Sequence, residues 1–345
     1  MNKLYINGHF LHQRLTGVQR YAREILAGFD EGGYPYQVLS PPPPMASHKL
    51  GQHMWEQLLL PLKRRDNAVF WSPTNTGPVY MDNHAITLHD AAVFVHPEWF
   101  SNAYVSWRKM LLPRIVGRAR TVLTVSEYSR SVICRYLALK PEQVKVVYNG
   151  IDTKRFYVAS KKETDRVRAK YGLTSPYLFT LGSLDPRKNF IRLVEAWHLY
   201  AAKNPRGYTL AIAGGSNRNF GTLTLHESQS VKLLGYVEDK DLPALYSGAT
   251  AFLFPSLFEG FGLPVLEAMA CGTPVLTSNT TALDEIAGDA AMKVSPEGID
   301  SISEGISELV ESAGRRQDLV DKGFQRIRLF DWNHAASTIY QHLTQ

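Results

Sequence analysis

Cysteine is nearly absent: the 345 residues include two, Cys134 and Cys271. Neither stands at a metal-ligand spacing, so neither a zinc site nor a disulfide framework is indicated, and a reducing cytoplasm is the simplest setting. Long apolar runs are missing too. None approaches the ~20 residues needed to span a bilayer, and the N-terminal MNKLYINGHF lacks the apolar stretch of a secretory signal. The expectation is a chain that is soluble or rests on a membrane surface. Also lacking is Gly-x-Gly-x-x-Gly after the first apolar run. GHFLHQRLTG stands there instead, which argues against an NAD-dependent oxidoreductase. Finally, there is no acidic excess. The formal net charge is +6 and the isoelectric point about 9.1, a balance that favours an anionic partner such as a nucleotide, a phospholipid surface or nucleic acid, or reflects mild basicity and nothing more.

What is present is globular: 44% hydrophobic and 20% charged residues, on a length that allows two ordinary domains. KLYIN, YQVLS, AVFWS, AITLHD, TVLTVS and KVVYN read as short buried strands in the first half. YLFTLG, TLAIAGG, VKLLG, TAFLFPS, TPVLTSN and AMKVS do so in the second. Helical periods separate them, as in GVQRYAREILAGF, where Val18, Tyr21, Ala22, Ile25 and Phe29 share a face. The alternation predicts two α/β domains with parallel, doubly wound sheets. The join is expected near Asn149-Gly150 or in the polar SKKETDRVRAK that follows. Pro41 to Pro44 reads as a stiff surface loop, and DWNHAASTIYQHL as an amphipathic last helix.

Ligands of open parallel sheets bind beyond the carboxyl ends of the strands, so the residues there are the candidates. Thr16-Gly17 opens a helix whose first N–H groups suit a phosphate, or are simply an N-cap and spacer. His89 and Asp90 end a buried strand. A histidine there can bond a sugar hydroxyl or move a proton, with the aspartate orienting it; the plainer use is a helix cap. Arg187 and Lys188 in SLDPRKN offer a bidentate fork and a mobile point charge to a diphosphate. The loop SNRNFG could approach a ligand or merely connect. Asp239-Lys240-Asp241 matches a metal-diphosphate pattern, yet Asp241 directly precedes a helix with Pro243 in its first turn and reads better as an N-cap. No metal site is expected.

In SLFEGFGLPVLEAMACG, Glu259 sits in a Gly-rich loop and Glu267 on the helix that follows. The glycines permit close backbone approach and the helix start supplies N–H donors to an anion. A carboxylate at the anion itself would be repelled, so both glutamates suit neutral hydroxyls beside it. An anion cradle flanked by hydroxyl-reading carboxylates describes a nucleotide-sugar site. A glycosidase uses two carboxyls across a cleft, whereas these belong to one loop-helix unit.

FEGFGLPVLEAMACGTPV, with PRKN upstream and TGVQRYARE near the N-terminus, resembles the retaining glycosyltransferases of family 4, and the motif order covers nearly the whole chain. The resemblance implies a GT-B fold, two Rossmann-like doubly wound parallel-sheet domains facing across a cleft. Residues 1–150 would hold the acceptor, 151–327 the nucleotide-sugar donor, and a helix over about 328–345 would cross back to the first domain. By position, Glu267 would bind the ribose hydroxyls. Glu259 and the backbone of Gly260, Phe261, Gly262 and Leu263 would contact sugar and diphosphate. Arg187 and Lys188 would neutralise the leaving diphosphate, and Gly17 would let its loop approach that phosphate. His89 would lie against the donor sugar with Asp90 beside it, and Val237 would read the base. The chain departs from the family in carrying Ser183 where many members have Arg, and in reading TGVQRY where relatives often have another Gly. Gln19 is therefore a further candidate for reaching acceptor or phosphate.

The activity implied is retaining, metal-independent transfer of a hexose. TLHDAAVFVHPEWF is similar to bacterial mannosyltransferases of O-antigen and capsular polysaccharide synthesis, which implies GDP-mannose, with UDP- and dTDP-sugars open. The acceptor would be a glycan or lipid-linked glycan, and nucleic acid is not an expected partner. Arg108, Lys109, Arg114, Arg118 and Arg120 could rest on anionic lipid at the inner membrane face, or form a solvated helix face. A non-catalytic sugar-nucleotide sensor is the competing non-enzyme reading.

Overall fold

A computed structural model describes residues 3–13, 16–63, 68–204, 207–215 and 225–345. The SNRNFG loop thus falls outside the described residues. The chain divides into two compact units. The first comprises residues 1–97, 102–150 and 331–345, the second residues 98–101 and 151–330.

All twelve apolar runs form strands. In the first unit these are β1 (Lys3–Asn7), β2 (Tyr36–Leu39), β3 (Ala68–Ser72), β4 (His84–Thr87), β5 (Thr121–Thr124) and β6 (Val144–Val146). They pair in the order β2-β1-β3-β4-β5-β6, every described pair parallel. In the second unit they are β7 (Tyr177–Leu181), β8 (Thr209–Ala213), β9 (Val231–Gly235), β10 (Phe252–Phe254), β11 (Val275–Ser278) and β12 (Met292–Val294), in the parallel order β12-β11-β10-β7-β8-β9. Both are six-stranded doubly wound sheets. Strands β3, β4, β10 and β11 are buried at every position, because helices cover both faces of a parallel sheet.

Each sheet reverses its winding once. In the first the chain leaves β1 toward β2 and then starts again on the other side with β3. In the second it runs β7-β8-β9 and restarts at β10, on the far side of β7. The loops after β7 and β10 therefore diverge and leave a crevice at the strand ends, where such sheets bind ligands.

Local sequence explains the helices. Gly17–Glu31 buries Tyr21, Ala22, Ile25 and Phe29 as its periodicity requires. The last helix, Trp332–Thr344, packs on it, with Tyr340 stacked on Tyr34 at 4.5 Å and edge-on to Phe29 at 5.6 Å. Two segments differ from expectation. SKKETDRVRAK forms a helix, Lys161–Lys170, because Ser160 and Glu163 make a reciprocal capping box and Val167 is buried. The proline run is only partly a loop: Pro43 and Pro44 open the helical turn Pro43–Ala46, since their missing N–H groups cost nothing in a first turn.

The ends of β7 and β8 press together. Gly182 N donates to Ala213 O at 3.0 Å and Leu184 N to Gly215 O at 3.2 Å. Gly214 has φ +142°, and a Cβ there would overlap the carbonyl of Gly182. Gly214→Ala is therefore expected to destabilise the protein by about 1–3 kcal/mol through overpacking. At Gly215 a Cβ meets nothing within 4 Å, so Gly215→Ala serves as a near-neutral control. Equal denaturation midpoints for the two variants would contradict this packing.

Candidate active site

In the second unit the loops after β7 and β10 are tied together at three points. Leu257 N donates to Arg187 O at 2.7 Å, and Asn189 Nδ2 donates to Pro255 O at 2.9 Å. Lys188 Nζ lies 2.6 Å from Glu259 Oε1, with both side chains mostly buried, and 4.7 Å over the ring of Phe254. Asn189 also donates to Pro296 O at 2.6 Å, which adds the loop after β12. It adopts the left-handed conformation at φ 59°, a region asparagine tolerates better than most residues. Arg187 is not a free fork. Its Nε and Nη2 lie 3.2 and 3.4 Å from the two oxygens of Asp185, a wholly buried carboxylate that also accepts from Ser183 Oγ at 2.5 Å.

Beyond Glu259, Gly262 takes φ +116° and caps the helix Leu263–Ala270, with Pro264 in its first turn. A Cβ on Gly262 would meet Leu283 Cδ2 at 2.7 Å, so the loop closes here only with glycine. The buried Phe261 packs edge-on to Phe330 at 5.8 Å. Glu267 is buried on this helix and accepts from Tyr246 Oη at 3.0 Å. Burial, and then the Glu267 charge, push the Cys271 thiol up to about 12, so it stays protonated and is no nucleophile at neutral pH. Val237 is buried just past the end of β9, on a different loop from the Lys188–Glu259 pair. After β11, Thr281 holds φ +62°, an outlier for a β-branched residue, and its buried Oγ1 has no hydrogen-bond partner.

The first unit presents its own strand-end residues. His89 Nε2 lies 2.9 Å from Pro73 O, and its backbone N donates to Asn75 Oδ1 at 2.7 Å. Tyr21, on the helix that Gly17 begins, packs edge-on against the His89 ring at 4.5 Å. Burial lowers the imidazole pKa, against smaller opposing effects of the Pro73 carbonyl and Asp90. The ring is thus neutral at pH 7, with Nε2–H donating to Pro73 O and Nδ1 left as an acceptor. Asp90 Oδ1 accepts from the backbone N of Ala92 at 3.0 Å, the first residue of the turn Ala92–Val95. Gly17 is exposed and a Cβ there would meet nothing within 4 Å, so the fold itself does not demand glycine at this helix start. Gln19 turns back on its own helix start, accepting from Thr16 N at 3.2 Å and donating to Gln13 Oε1 at 2.7 Å. Arg108 departs from its expected place on a surface face: it is buried and donates to the carbonyl of Asn75.

The N-cap reading of Asp241 holds for its position and fails for its side chain. It precedes the helix Leu242–Ser247 but makes no cap bond. Its buried carboxylate instead accepts from Arg166 at 2.9 Å, Lys170 at 2.6 Å and Tyr171 at 3.2 Å, while Asp239 pairs with Arg155 at 2.5 Å. Cations thus occupy both carboxylates of the Asp-x-Asp sequence.

Two doubly wound parallel sheets, the second with a cation-carboxylate pair and a glycine-capped helix start at the point where strand order reverses, form a two-Rossmann architecture with a candidate ligand site at that point. The comparisons with known proteins agree. Residues 161–326 match the model for glycosyl transferases group 1, and residues 79–155 the model for glycosyltransferase family 4. O-antigen chain mannosyltransferase B of Escherichia coli is 32% identical over 276 residues, 78% of this chain and 72% of that protein. O-antigen chain mannosyltransferase RfbU of Salmonella typhimurium is 29% identical over 70% of this chain, which spans 65% of that relative. The structure of Anabaena HepE with UDP and glucose superposes with a TM-score of 0.74 at 18% identity, covering 100% of both chains. The chain belongs to the group 1 and family 4 glycosyltransferases and has their GT-B fold.

Sequence reasoning missed Asp185, Asn189 and Tyr246. The first two stand inside SLDPRKN, on either side of the proline turn and its cations. An Asp before a turn and an Asn after it were the available signals.

The Asp241 cluster carries a pH prediction. Burial raises its pKa, but the bonds from Lys170, Arg166 and Tyr171 outweigh that and bring the value below 3.8. A depressed folded pKa stabilises above the unfolded value and is lost as pH falls through the folded one. Asp241→Asn is therefore expected to melt below the parent at pH 7, with the difference shrinking as pH drops below about 4. A difference independent of pH would show that the charge of Asp241 does not contribute.

Proposed function

We propose that this enzyme transfers a mannosyl unit from GDP-mannose to a hydroxyl of a glycan or lipid-linked glycan, with retained anomeric configuration, in cell-surface polysaccharide synthesis. The observation that carries the reading is the Lys188–Glu259 pair, at the strand-order reversal and beside the Gly262-capped helix start. The mannosyltransferase relatives support the choice of sugar. In the reaction, the acceptor oxygen bonds to the anomeric carbon as the bond to the diphosphate oxygen breaks. The acceptor proton passes to the departing diphosphate on the same face.

The geometry suggests an exchange of partners. Without donor, Glu259 neutralises Lys188. An arriving diphosphate takes the ammonium, and Glu259 is released to accept from a sugar hydroxyl. Arg187, held in place by Asp185, adds charge at lower strength because it is already paired. The backbone at Gly260, Phe261, Gly262 and Leu263 cradles the diphosphate and sugar, and developing negative charge meets prearranged dipoles and cations rather than a divalent ion. Glu267, steadied by Tyr246, accepts from the ribose hydroxyls, and the backbone at Val237 reads the base. In the first unit, Gly17 leaves the helix start bare for a phosphate and His89 offers Nδ1 to a hydroxyl. Asp90 holds the start of the turn Ala92–Val95 in this reading. A lipid-linked acceptor would place the enzyme at the cytoplasmic face of an anionic membrane. A UDP-sugar is the second reading, favoured by the UDP held in the HepE structure.

Thermal shift with GDP, UDP, dTDP and ADP tests the donor. A nucleotide at ~100 times its dissociation constant adds about 2.7 kcal/mol, and GDP is expected to do so. A shift with UDP alone would move the reading to a UDP-sugar, and no shift with any of them would overturn it. Glu267→Gln keeps an acceptor for Tyr246, so its unliganded melting point should stay near the parent's. Its GDP affinity should fall about 10- to 100-fold, the worth of hydrogen bonds to a charged group.

A further inference from the structure

One segment of the first unit is inside out. The helix Lys49–Met54 runs on through a π-helical turn, Trp55–Leu59, into the turn Pro61–Lys63. Its inward face carries Gln52 and Glu56, both buried, alongside Trp55 and Leu60. Its outward face carries Leu50, Met54, Leu58 and Leu62, spaced four apart and 70%, 45%, 59% and 77% exposed. An ordinary surface helix does the reverse.

The inward carboxylate explains why the segment cannot simply roll over. Glu56 is wholly buried, accepts from Asn7 Nδ2 and Thr76 Oγ1 at 2.7 Å each, and lies 3.4 Å from His9 Nδ1. Burial raises its pKa, but the bond and charge of His9 and the Thr76 and Asn7 bonds outweigh it, so Glu56 remains ionised. A paired, ionised group fixes the inward face, and the leucines are left outside.

The apolar stripe continues onto the helix Asn102–Val116, joined to it by the edge contact of His53 with Trp107 at 5.0 Å. That helix exposes Tyr104 and Met110. Charge along these two segments is mainly positive. Lys63, Lys109, Arg114 and Arg118 are exposed, residues 102–120 contain no Asp or Glu, and residues 49–66 carry Lys49, Lys63, Arg64 and Arg65 against Asp66 and the buried Glu56. Exposed leucines with cations on the same two segments fit a surface with an apolar interior and anionic headgroups. A second copy of this chain would bring like charges face to face.

We infer that the outward face of residues 50–62, with Tyr104 and Met110, docks into an anionic phospholipid bilayer surface. This names the contact for the lipid-linked acceptor of the proposed function and rests on that reading. The leucines enter the headgroup-acyl boundary and the cations hold phosphates, so the unit lies on the membrane without spanning it.

Flotation of the full chain with phosphatidylglycerol-phosphatidylcholine vesicles, without donor or acceptor, tests the surface. The protein is expected to float with these and not with phosphatidylcholine alone. Leu58→Asp/Leu62→Asp should lower the bound fraction at least about tenfold. Lys109→Gln/Arg114→Gln should lower partitioning roughly 25-fold, about fivefold per cation. Both variants should keep the parent melting point and GDP shift, because these side chains are exposed and belong to the first unit, whereas the nucleotide loops belong to the second. Flotation unaffected by either variant would overturn the assignment. So would a parent dimer, seen by sedimentation and lost in Leu58→Asp/Leu62→Asp, in a protein that does not float. A chain that shifts with GDP yet never floats loses this surface and keeps its transferase reading.

Discussion

The site depends on one bond, the 2.6 Å contact between Lys188 and Glu259. A parallel sheet that reverses its strand order leaves two loops diverging at their carboxyl ends, with nothing in the sheet to hold them at a set distance. Here the ammonium and carboxylate set it, assisted by Asn189 on Pro255 O and by Leu257 N on Arg187 O. A mostly buried pair of this kind contributes little net stability, since desolvation offsets most of the attraction. Its value is chemical. In the exchange proposed above, it holds a cation and a hydroxyl acceptor next to a helix start, and an anionic ligand takes the first and frees the second.

The twelve strands were legible because parallel strands covered on both faces must be apolar throughout, and such runs stand out between turn residues. The loop SLFEGFGLPVLEAMACG was legible because Gly262 at φ +116° and the helix it caps are local features. What could not be read were partners distant in sequence. Glu267 sits 21 residues from Tyr246, Glu259 71 from Lys188, and Asn189 107 from Pro296. Asp241 shows the limit most clearly. Its sequence context is that of an N-cap, yet Arg166 and Lys170, about 70 residues upstream, claim the carboxylate. The helix Lys161–Lys170 that supplies them carried a capping-box signal, Ser160 with Glu163, masked by its high charge.

The two units treat buried charge in the same way. Asp185 in the second and Glu56 in the first are wholly buried carboxylates, each held by hydrogen-bond donors, Ser183 and Arg187 for the one and Asn7 and Thr76 for the other. Each fixes the orientation of something else. Asp185 aims the Arg187 guanidinium, and Glu56 turns its helix so that leucines face out. Buried ionic groups used to specify an arrangement, at some cost in stability, are a known use of such residues.

The claim that everything else serves is the exchange of Lys188 from Glu259 to a diphosphate. A crystal structure of the chain with GDP-mannose tests it directly. The account predicts Lys188 Nζ within hydrogen-bond distance of the diphosphate, Glu259 on a mannose hydroxyl, and Glu267 on the ribose. A bound donor that leaves the Lys188–Glu259 bond intact, with its diphosphate elsewhere, would contradict it.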